Sequence, residues 1–126
     1  MLKFTQYIVL ILILTSCSLK QPQVSQSVTV LLKTPTMKFY DKGFISKYEE
    51  YTQLQIFNAG TLVLDLSIYE DKVCKSMLQC ISLKEFNKEN LHYSYEDTFI
   101  KKLLDRNDKK IVFKDKKNKI LIKIYR

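Results

Sequence analysis

The sequence predicts an α+β fold, in which a mainly antiparallel β-sheet of five to seven strands carries two short helices before a carboxy-terminal β-hairpin. Three observations lead to this prediction. Apolar and polar residues alternate with a period of two over several segments, which indicates strands with one buried side. Two segments between residues 82 and 107 have helical features, and two alternating segments follow them. An immunoglobulin-like β-sandwich with a helical insertion is the alternative.

The first strands are predicted in residues 28–48. Residues 28–33 alternate and end before Pro35, and residues 37–40 form a second, short strand. We expect Asp41-Lys42-Gly43 to form a turn in which Gly43 takes a positive φ. Residues 44–48 then form a third strand, or a single helical turn through Tyr51.

The clearest hairpin joins residues 53–57 to residues 61–69. Its connection, Asn58-Ala59-Gly60, fits a type I turn followed by a glycine bulge. The returning strand places four aliphatic residues on one side, which is therefore expected to be buried: Leu62, Leu64, Leu66 and Ile68. Replacing Leu64 with Asp is expected to abolish folding.

The second half begins with an irregular loop at residues 70–81. Ser82-Leu83-Lys84-Glu85 matches a capping box, which indicates the start of a helix. Ser94 and Asp97 offer the start of a second helix, which is expected to end near residues 106–107. The closing hairpin has strands at residues 110–114 and 119–125, joined by a turn at residues 115–118.

The amino terminus has the layout of a secretory leader. Lys3 is the only charged residue among the first sixteen, residues 7–14 are apolar, and small residues follow. The apolar run is shorter than the roughly 20 residues that a membrane-spanning helix needs. Leu14-Thr15-Ser16-Cys17 resembles the lipobox of bacterial lipoprotein precursors. The alternatives are an ordinary cleaved signal or an uncleaved anchor helix.

The resemblance implies that residues 1–16 are a signal peptide, removed before Cys17, and that Cys17 carries a diacylglycerol and a further acyl chain such as palmitate. Ser18 implies attachment to the outer membrane, facing the periplasm; the inner membrane and the cell surface are the alternatives. Residues 17–27 are then a lipidated cysteine with a flexible tether, and residues 28–126 one small periplasmic domain. That domain is similar to small uncharacterised lipoproteins of Gram-negative bacteria, a likeness that implies no function.

Two cysteines remain once Cys17 is acylated. Because the periplasm is oxidising, Cys74 and Cys80 are predicted to form a disulfide. Two reduced thiols, or a redox or metal pair, are the alternatives.

The formal charge of +8 comes from the last 26 residues, which hold eleven Lys or Arg and three acids. A candidate patch for an anionic ligand consists of six lysines: Lys110, Lys114, Lys116, Lys117, Lys119 and Lys123. Nucleic acid is not a usual periplasmic partner, so anionic lipid, glycan or an acidic protein is expected instead. The alternative is a solvated edge whose lysines discourage aggregation.

No residues are nominated for catalysis, for a cofactor or for a metal. His92 is the only histidine and is interpreted as a surface residue, and the acidic pairs Glu49-Glu50 and Glu96-Asp97 are assigned to solvation and capping. Four tyrosines near the strands offer a possible binding surface: Tyr40, Tyr48, Tyr51 and Tyr69.

The sequence therefore predicts a non-catalytic, lipid-anchored protein of the cell envelope that docks onto another envelope component through a tyrosine-bearing side or a sheet edge. A binder of anionic envelope glycan or lipid through the basic hairpin is the alternative. The expected partners are the membrane, through Cys17, and an envelope protein. The sequence leaves the oligomeric state open.

Overall fold

One antiparallel sheet of eight strands dominates the fold. The computed structural model describes residues 1–14, 21–76 and 78–126, and within them the strand order is β6-β5-β4-β3-β2-β1-β8-β7. The strands are β1 (Val24–Lys33), β2 (Lys38–Lys47), β3 (Tyr51–Asn58), β4 (Thr61–Tyr69), β5 (Lys72–Lys75), β6 (Gln79–Ser82), β7 (Lys110–Asp115) and β8 (Ile120–Tyr125), and the helices are α1 (Leu2–Leu14), α2 (Leu83–Asn90) and α3 (Phe99–Asp105).

The predicted fold class is wrong in its strand count and in its helices. The described residues form eight strands rather than five to seven, and three helices rather than two, one of them at the amino terminus. The immunoglobulin-like alternative is also wrong, because all eight strands belong to one sheet instead of two packed sheets.

Strand β2 replaces the two strands and the turn that were predicted between residues 37 and 48. Gly43 does not sit in a turn: it is buried in the middle of β2, between Val28 of β1 and Ile56 of β3. A Cβ atom at Gly43 would lie 2.1 Å from the backbone oxygen of Gln55. The glycine is therefore required by the close approach of β3 and not by a positive φ.

The β3–β4 hairpin is present, but its connection differs from the predicted one. Asn58 pairs with Thr61, so only Ala59 and Gly60 form the loop, and both have positive φ values of 48° and 80°. This combination is typical of a type I′ turn. The bulge lies at Val63 instead, where the register shifts between the pairs of Ile56 with Leu64 and of Phe57 with Leu62.

Residues 70–81 form a hairpin rather than an irregular loop. Strands β5 and β6 pair with each other, and Cys74 stands directly opposite Cys80. The two cysteines form a disulfide, as the sequence predicts. The disulfide links the two strands of this short hairpin directly across their pairing.

The helices connect opposite edges of the sheet. The chain leaves the edge strand β6, passes through α2 and α3, and re-enters at the other edge strand, β7. The hydroxyl of Ser82 accepts a hydrogen bond from the Glu85 amide (3.1 Å), which confirms the predicted start of α2. Helix α3 begins only at Phe99, after Thr98, so the start predicted from Ser94 and Asp97 is wrong.

One side of the sheet forms the core, because this crossing connection covers it. The buried aliphatic side chains of the strands meet the buried residues of the helices and of the segment between them, including Leu83, Phe86, Leu91, Ile100 and Leu104. No described helix covers the other side of the sheet, which we call the open face.

The amino-terminal segment is described in two parts. Helix α1 falls within the predicted leader, and none of the described helices is long and apolar enough to cross a membrane. Cys17, the predicted lipidation site, lies outside the described residues. Strand β1 begins at Val24, so residues 24–27 of the segment assigned to a tether pair with β2.

Candidate functional site

Lysines are concentrated on the open face of β2, β1, β8 and β7. The alternation of side chains along each strand and the pairing register place six of them there, and we call this group the lysine surface: Lys33, Lys38, Lys42, Lys110, Lys114 and Lys123. The described strand positions on this part of the open face include no carboxylate. Asp41 of β2 is paired with Val30 and therefore points to the core side.

The lysine surface is organised in rows that run across the strands. Lys38 stands directly opposite Lys33, and the same row continues through Leu121 to Lys114. A row on the far side of the surface contains Lys42 and Lys110. Like charges placed directly opposite each other in a sheet are destabilising, so the pairing of Lys33 with Lys38 lowers the stability of the sheet.

A shallow depression lies between these two rows. Its volume is about 270 Å³ and it is lined by Leu31, Tyr40, Lys123 and Tyr125. Tyr40 is 71% exposed, and the ammonium of Lys110 lies over the Tyr125 ring, 5.6 Å from its centroid. The centre of the lysine surface therefore has an aromatic and aliphatic floor.

Ion pairs of the described residues lie elsewhere. Lys101 pairs with Asp105 and Lys102 pairs with Glu96, both on or beside α3. Arg106 pairs with Asp108 in the segment before β7. Within the described part of the chain, no residue of the lysine surface has a carboxylate within ion-pair distance.

The structure divides the predicted lysine patch into two groups. Lys110, Lys114 and Lys123 belong to the lysine surface, whereas Lys116, Lys117 and Lys119 lie in the β7–β8 turn. The sequence analysis missed Lys33, Lys38 and Lys42, which β1 and β2 bring alongside the carboxy-terminal hairpin. Lys38 and Lys42 are four residues apart, which puts them on the same side of a strand, but this signal identified a surface only once β1 was known to pair with β8.

Asp115 holds the β7–β8 turn in place. Its carboxylate accepts hydrogen bonds from the Tyr95 hydroxyl and from both the backbone amide (3.1 Å) and the side-chain amide (2.7 Å) of Asn118. Tyr95 also packs against Phe99 and Phe113, with ring centroids 4.8 and 5.8 Å away. The segment between the two helices is thereby fastened to the turn that carries three lysines.

These contacts shift two pKa values in opposite directions. The hydrogen bond from Tyr95, followed by that from Asn118, lowers the pKa of Asp115. Burial, followed by the hydrogen bond to Asp115, raises the pKa of Tyr95. The ionised carboxylate and the neutral phenol are therefore the forms that the folded state favours.

Tyr95→Phe is expected to weaken the dependence of stability on pH at both extremes. Because its folded pKa is lowered, Asp115 stabilises the fold above about pH 4 and loses this contribution as the pH falls through the folded value. Because its folded pKa is raised, Tyr95 stabilises the fold below about pH 10 and loses this contribution at higher pH. Urea unfolding from pH 2 to pH 11 measures both effects.

Tyr93→Phe is the matched control, because Tyr93 is 75% exposed and precedes Tyr95 by two residues. The control should retain the acid and alkaline losses of the parent chain. An unchanged acid loss in Tyr95→Phe would show that the hydrogen bond to Asp115 does not contribute to stability.

Three of the four predicted tyrosines meet at the opposite end of the open face. Tyr48 and Tyr51 stack with ring centroids 4.5 Å apart, and Tyr69 lies 4.9 Å from Tyr51. The ammonium of Lys72 lies over the Tyr69 ring, 4.8 Å from its centroid. Burial, followed by the charges of the adjacent phenols, raises the pKa of Tyr51. Tyr40 is not part of this stack and belongs to the depression described above.

The remaining candidate groups are dispersed. Nδ1 of His92 lies 2.6 Å from the Ser94 hydroxyl, in the segment between the helices. The Glu96 carboxylate accepts a hydrogen bond from Lys102, and Glu49 lies in the β2–β3 turn. The described residues include no group of three or more His, Cys, Asp or Glu that is placed to hold a metal ion.

Comparison with known proteins gives no information on the site, which is therefore interpreted from its own geometry. No protein-family model, no curated protein and no solved structure matches this chain.

Proposed function

We propose that this chain is a lipid-anchored, non-catalytic protein of the bacterial envelope, and that its lysine surface binds an anionic envelope component. The lipobox resemblance at Leu14-Thr15-Ser16-Cys17 supports the anchor and the location. The observation that carries the binding function is the lysine surface itself: six lysines on one side of four strands, with no carboxylate among the described strand positions there.

The electrostatics of this surface favour a partner with several negative charges. Each lysine near another raises the free energy of the unliganded protein, and Lys33 and Lys38 do so most directly because they are paired across two strands. A polyanion laid on the surface removes this repulsion and adds attraction to every lysine it reaches. A field of one sign also accelerates the encounter with an anionic partner.

The geometry gives less support to docking through tyrosines or through a sheet edge. The rings of Tyr48, Tyr51 and Tyr69 are engaged with one another, and Lys72 covers the last of them. Edge strand β6 has only four residues, and edge strand β7 carries Lys110 and Lys114, which discourage the addition of a further strand. We therefore propose the function that the sequence analysis gave as its alternative, the binding of an anionic envelope component by basic residues.

Binding is expected to depend strongly on salt and on the lysine surface. The probe is immobilised polyphosphate, and the protein is the full chain purified from bacterial membranes in a mild detergent. We expect affinity to fall about tenfold or more between 50 and 300 mM salt, because exposed charges are screened over about 10 Å at 0.1 M. Lys33→Gln/Lys123→Gln should weaken binding by a similar factor at low salt.

The matched control is Lys84→Gln/Lys88→Gln, which removes the same charge from helix α2. This variant should bind within about twofold of the parent chain, by the same screening argument. Equal losses of affinity in both double variants would show that binding depends only on the net charge of the protein. That result would contradict a defined binding surface. Absence of salt-dependent binding in the parent chain would contradict the proposed function.

The anchor is tested separately by mass spectrometry of the same preparation. We expect a chain that begins at Cys17 and carries the mass of two or three acyl chains. An intact leader, or a trimmed chain without acyl mass, would contradict the proposed location.

A further inference from the structure

We infer that the ligand of the lysine surface is an acidic polysaccharide, one sugar ring of which packs in the depression while its acidic groups contact the surrounding lysines. This inference rests on the proposed function and names the class of ligand. It is carried by two observations, the apolar floor within the lysine surface and the distribution of charge along β1.

The floor of the depression is not explained by charge alone. A simple polyanion such as polyphosphate has no apolar group that could pack against the aromatic rings of Tyr40 and Tyr125 or the side chain of Leu31. A pyranose ring has an apolar side of C–H groups, which packs against the electron-rich side of an aromatic ring. Tyr40 offers such a ring, because the residue is 71% exposed.

The size of the depression fits one ring of a polymer. Its volume of about 270 Å³ lies below the range of about 300–1,000 Å³ that is typical of pockets for whole small molecules. Residues that follow one another on the same side of a strand are about 7 Å apart. The rows of lysines therefore flank the depression at both of its ends along the strands. Lys33 and Lys38 lie on one side, and Lys42 and Lys110 lie on the other. A polymer running along β1 would therefore meet lysines before and after the ring that occupies the depression.

The distribution of charge argues against the anchoring membrane as the ligand. The chain enters the sheet at Val24, where the Gln23 amide donates a hydrogen bond to the Lys47 oxygen (2.7 Å). Four acidic side chains lie in the turns at this end of the sheet: Glu49, Glu50, Glu70 and Asp71. Cys17 precedes Val24 by seven residues, which reach at most about 25 Å. An anionic membrane at the anchor repels these turns.

The lysine surface lies toward the other end of β1. This strand has ten residues and is about 33 Å long, and Lys33 is its last residue. Two lysines at the entry end are engaged within the fold, since the Lys47 ammonium donates a hydrogen bond to the backbone oxygen of Asp105 and the Lys72 ammonium lies over the Tyr69 ring. Repulsion by an anionic membrane would therefore orient the protein with its lysine surface pointing away from that membrane. In this orientation the surface faces a polymer in the space that the protein occupies.

Tyr40→Ala separates a sugar polymer from other polyanions. The probes are polygalacturonate, which has sugar rings and carboxylates, and polyphosphate, which has charge without rings, both applied to the full lipidated chain in detergent. We expect Tyr40→Ala to weaken binding of polygalacturonate about tenfold and binding of polyphosphate less than about twofold. Tyr93→Ala, which removes a ring that is 75% exposed outside the depression, should change neither affinity.

A second measurement tests which way the lysine surface points. The lipidated chain is inserted into phosphatidylcholine vesicles with or without phosphatidylglycerol, and its lysines are labelled with an amine reagent. Lys33, Lys42 and Lys123 should react equally fast in both vesicles, relative to Lys84 and Lys88 on α2. Protection of the three by phosphatidylglycerol would show that the membrane occupies the surface and would overturn the inference.

The two proposals fail in different ways. Salt-dependent binding of polyphosphate without binding of polygalacturonate, or an equal effect of Tyr40→Ala on both probes, would overturn the polysaccharide and leave the polyanion function standing. Failure to bind either polymer would overturn both.

Discussion

Gly43→Ala is expected to destabilise the domain by about 3 kcal/mol or more, a large share of the roughly 5–15 kcal/mol that small domains have. The added Cβ would lie 2.1 Å from the Gln55 oxygen and 3.3 Å from the Ile56 Cα atom. Both are backbone atoms of the adjacent strand, so no rotamer change relieves the overlap. Strands β2 and β3 would have to separate near the centre of the sheet. Urea unfolding of the parent chain and the variant measures the loss.

Gly60→Ala is the matched control for this prediction. Gly60 has a positive φ of 80°, and a Cβ atom there would have nothing within 4 Å. The cost should therefore be limited to the left-handed backbone conformation, about 1 kcal/mol. Similar losses in the two variants would mean that the backbones of β2 and β3 do not approach as closely as the structure has them.

Gly43 also shows why part of the fold was not predictable from the sequence. Asp41-Lys42-Gly43 has the composition of a turn. Turn propensity considers only adjacent residues, so it does not include the contact of Gly43 with a strand that lies further along the chain. The packing of β3 against β2 overrides the local preference. The same limitation applies to residues 70–81, where pairing of β5 with β6 and the bridge between Cys74 and Cys80 create strands that alternation alone does not indicate.

Several features that depend on residues close in sequence were predicted correctly. They are the pairing of β3 with β4, although not the type of its turn, the cap of α2 by Ser82 and the disulfide. The lysine surface depends on the pairing of β1 with β8, which joins Leu31 to Lys123 across most of the chain. Such register is set by the shared apolar core rather than by a local motif, so the sequence revealed only the carboxy-terminal half of the surface.

Leu64→Asp and Leu62→Asp are expected to differ sharply, although the two leucines are only two residues apart on one strand. Leu64 is 8% exposed and belongs to the core, so an aspartate there would bury a charge without a partner at a cost of several kcal/mol. We expect the Leu64→Asp chain to lose cooperative unfolding in urea. The alternation predicted the same burial for Leu62, and this prediction is wrong, because Leu62 is 43% exposed and pairs with Phe57 on the open face.

The bulge at Val63 is the physical reason for the difference. An extra residue in one strand shifts the following side chains to the opposite side, so Leu62 and Leu64 point in different directions despite their spacing. Leu62→Asp should therefore cost only about 1 kcal/mol, mainly through its lost contact with Phe57. If Leu62→Asp abolished cooperative unfolding as Leu64→Asp does, all four aliphatic residues would share one side and the bulge would be misplaced. If Leu64→Asp folded normally, strand β4 would not contribute this residue to the core.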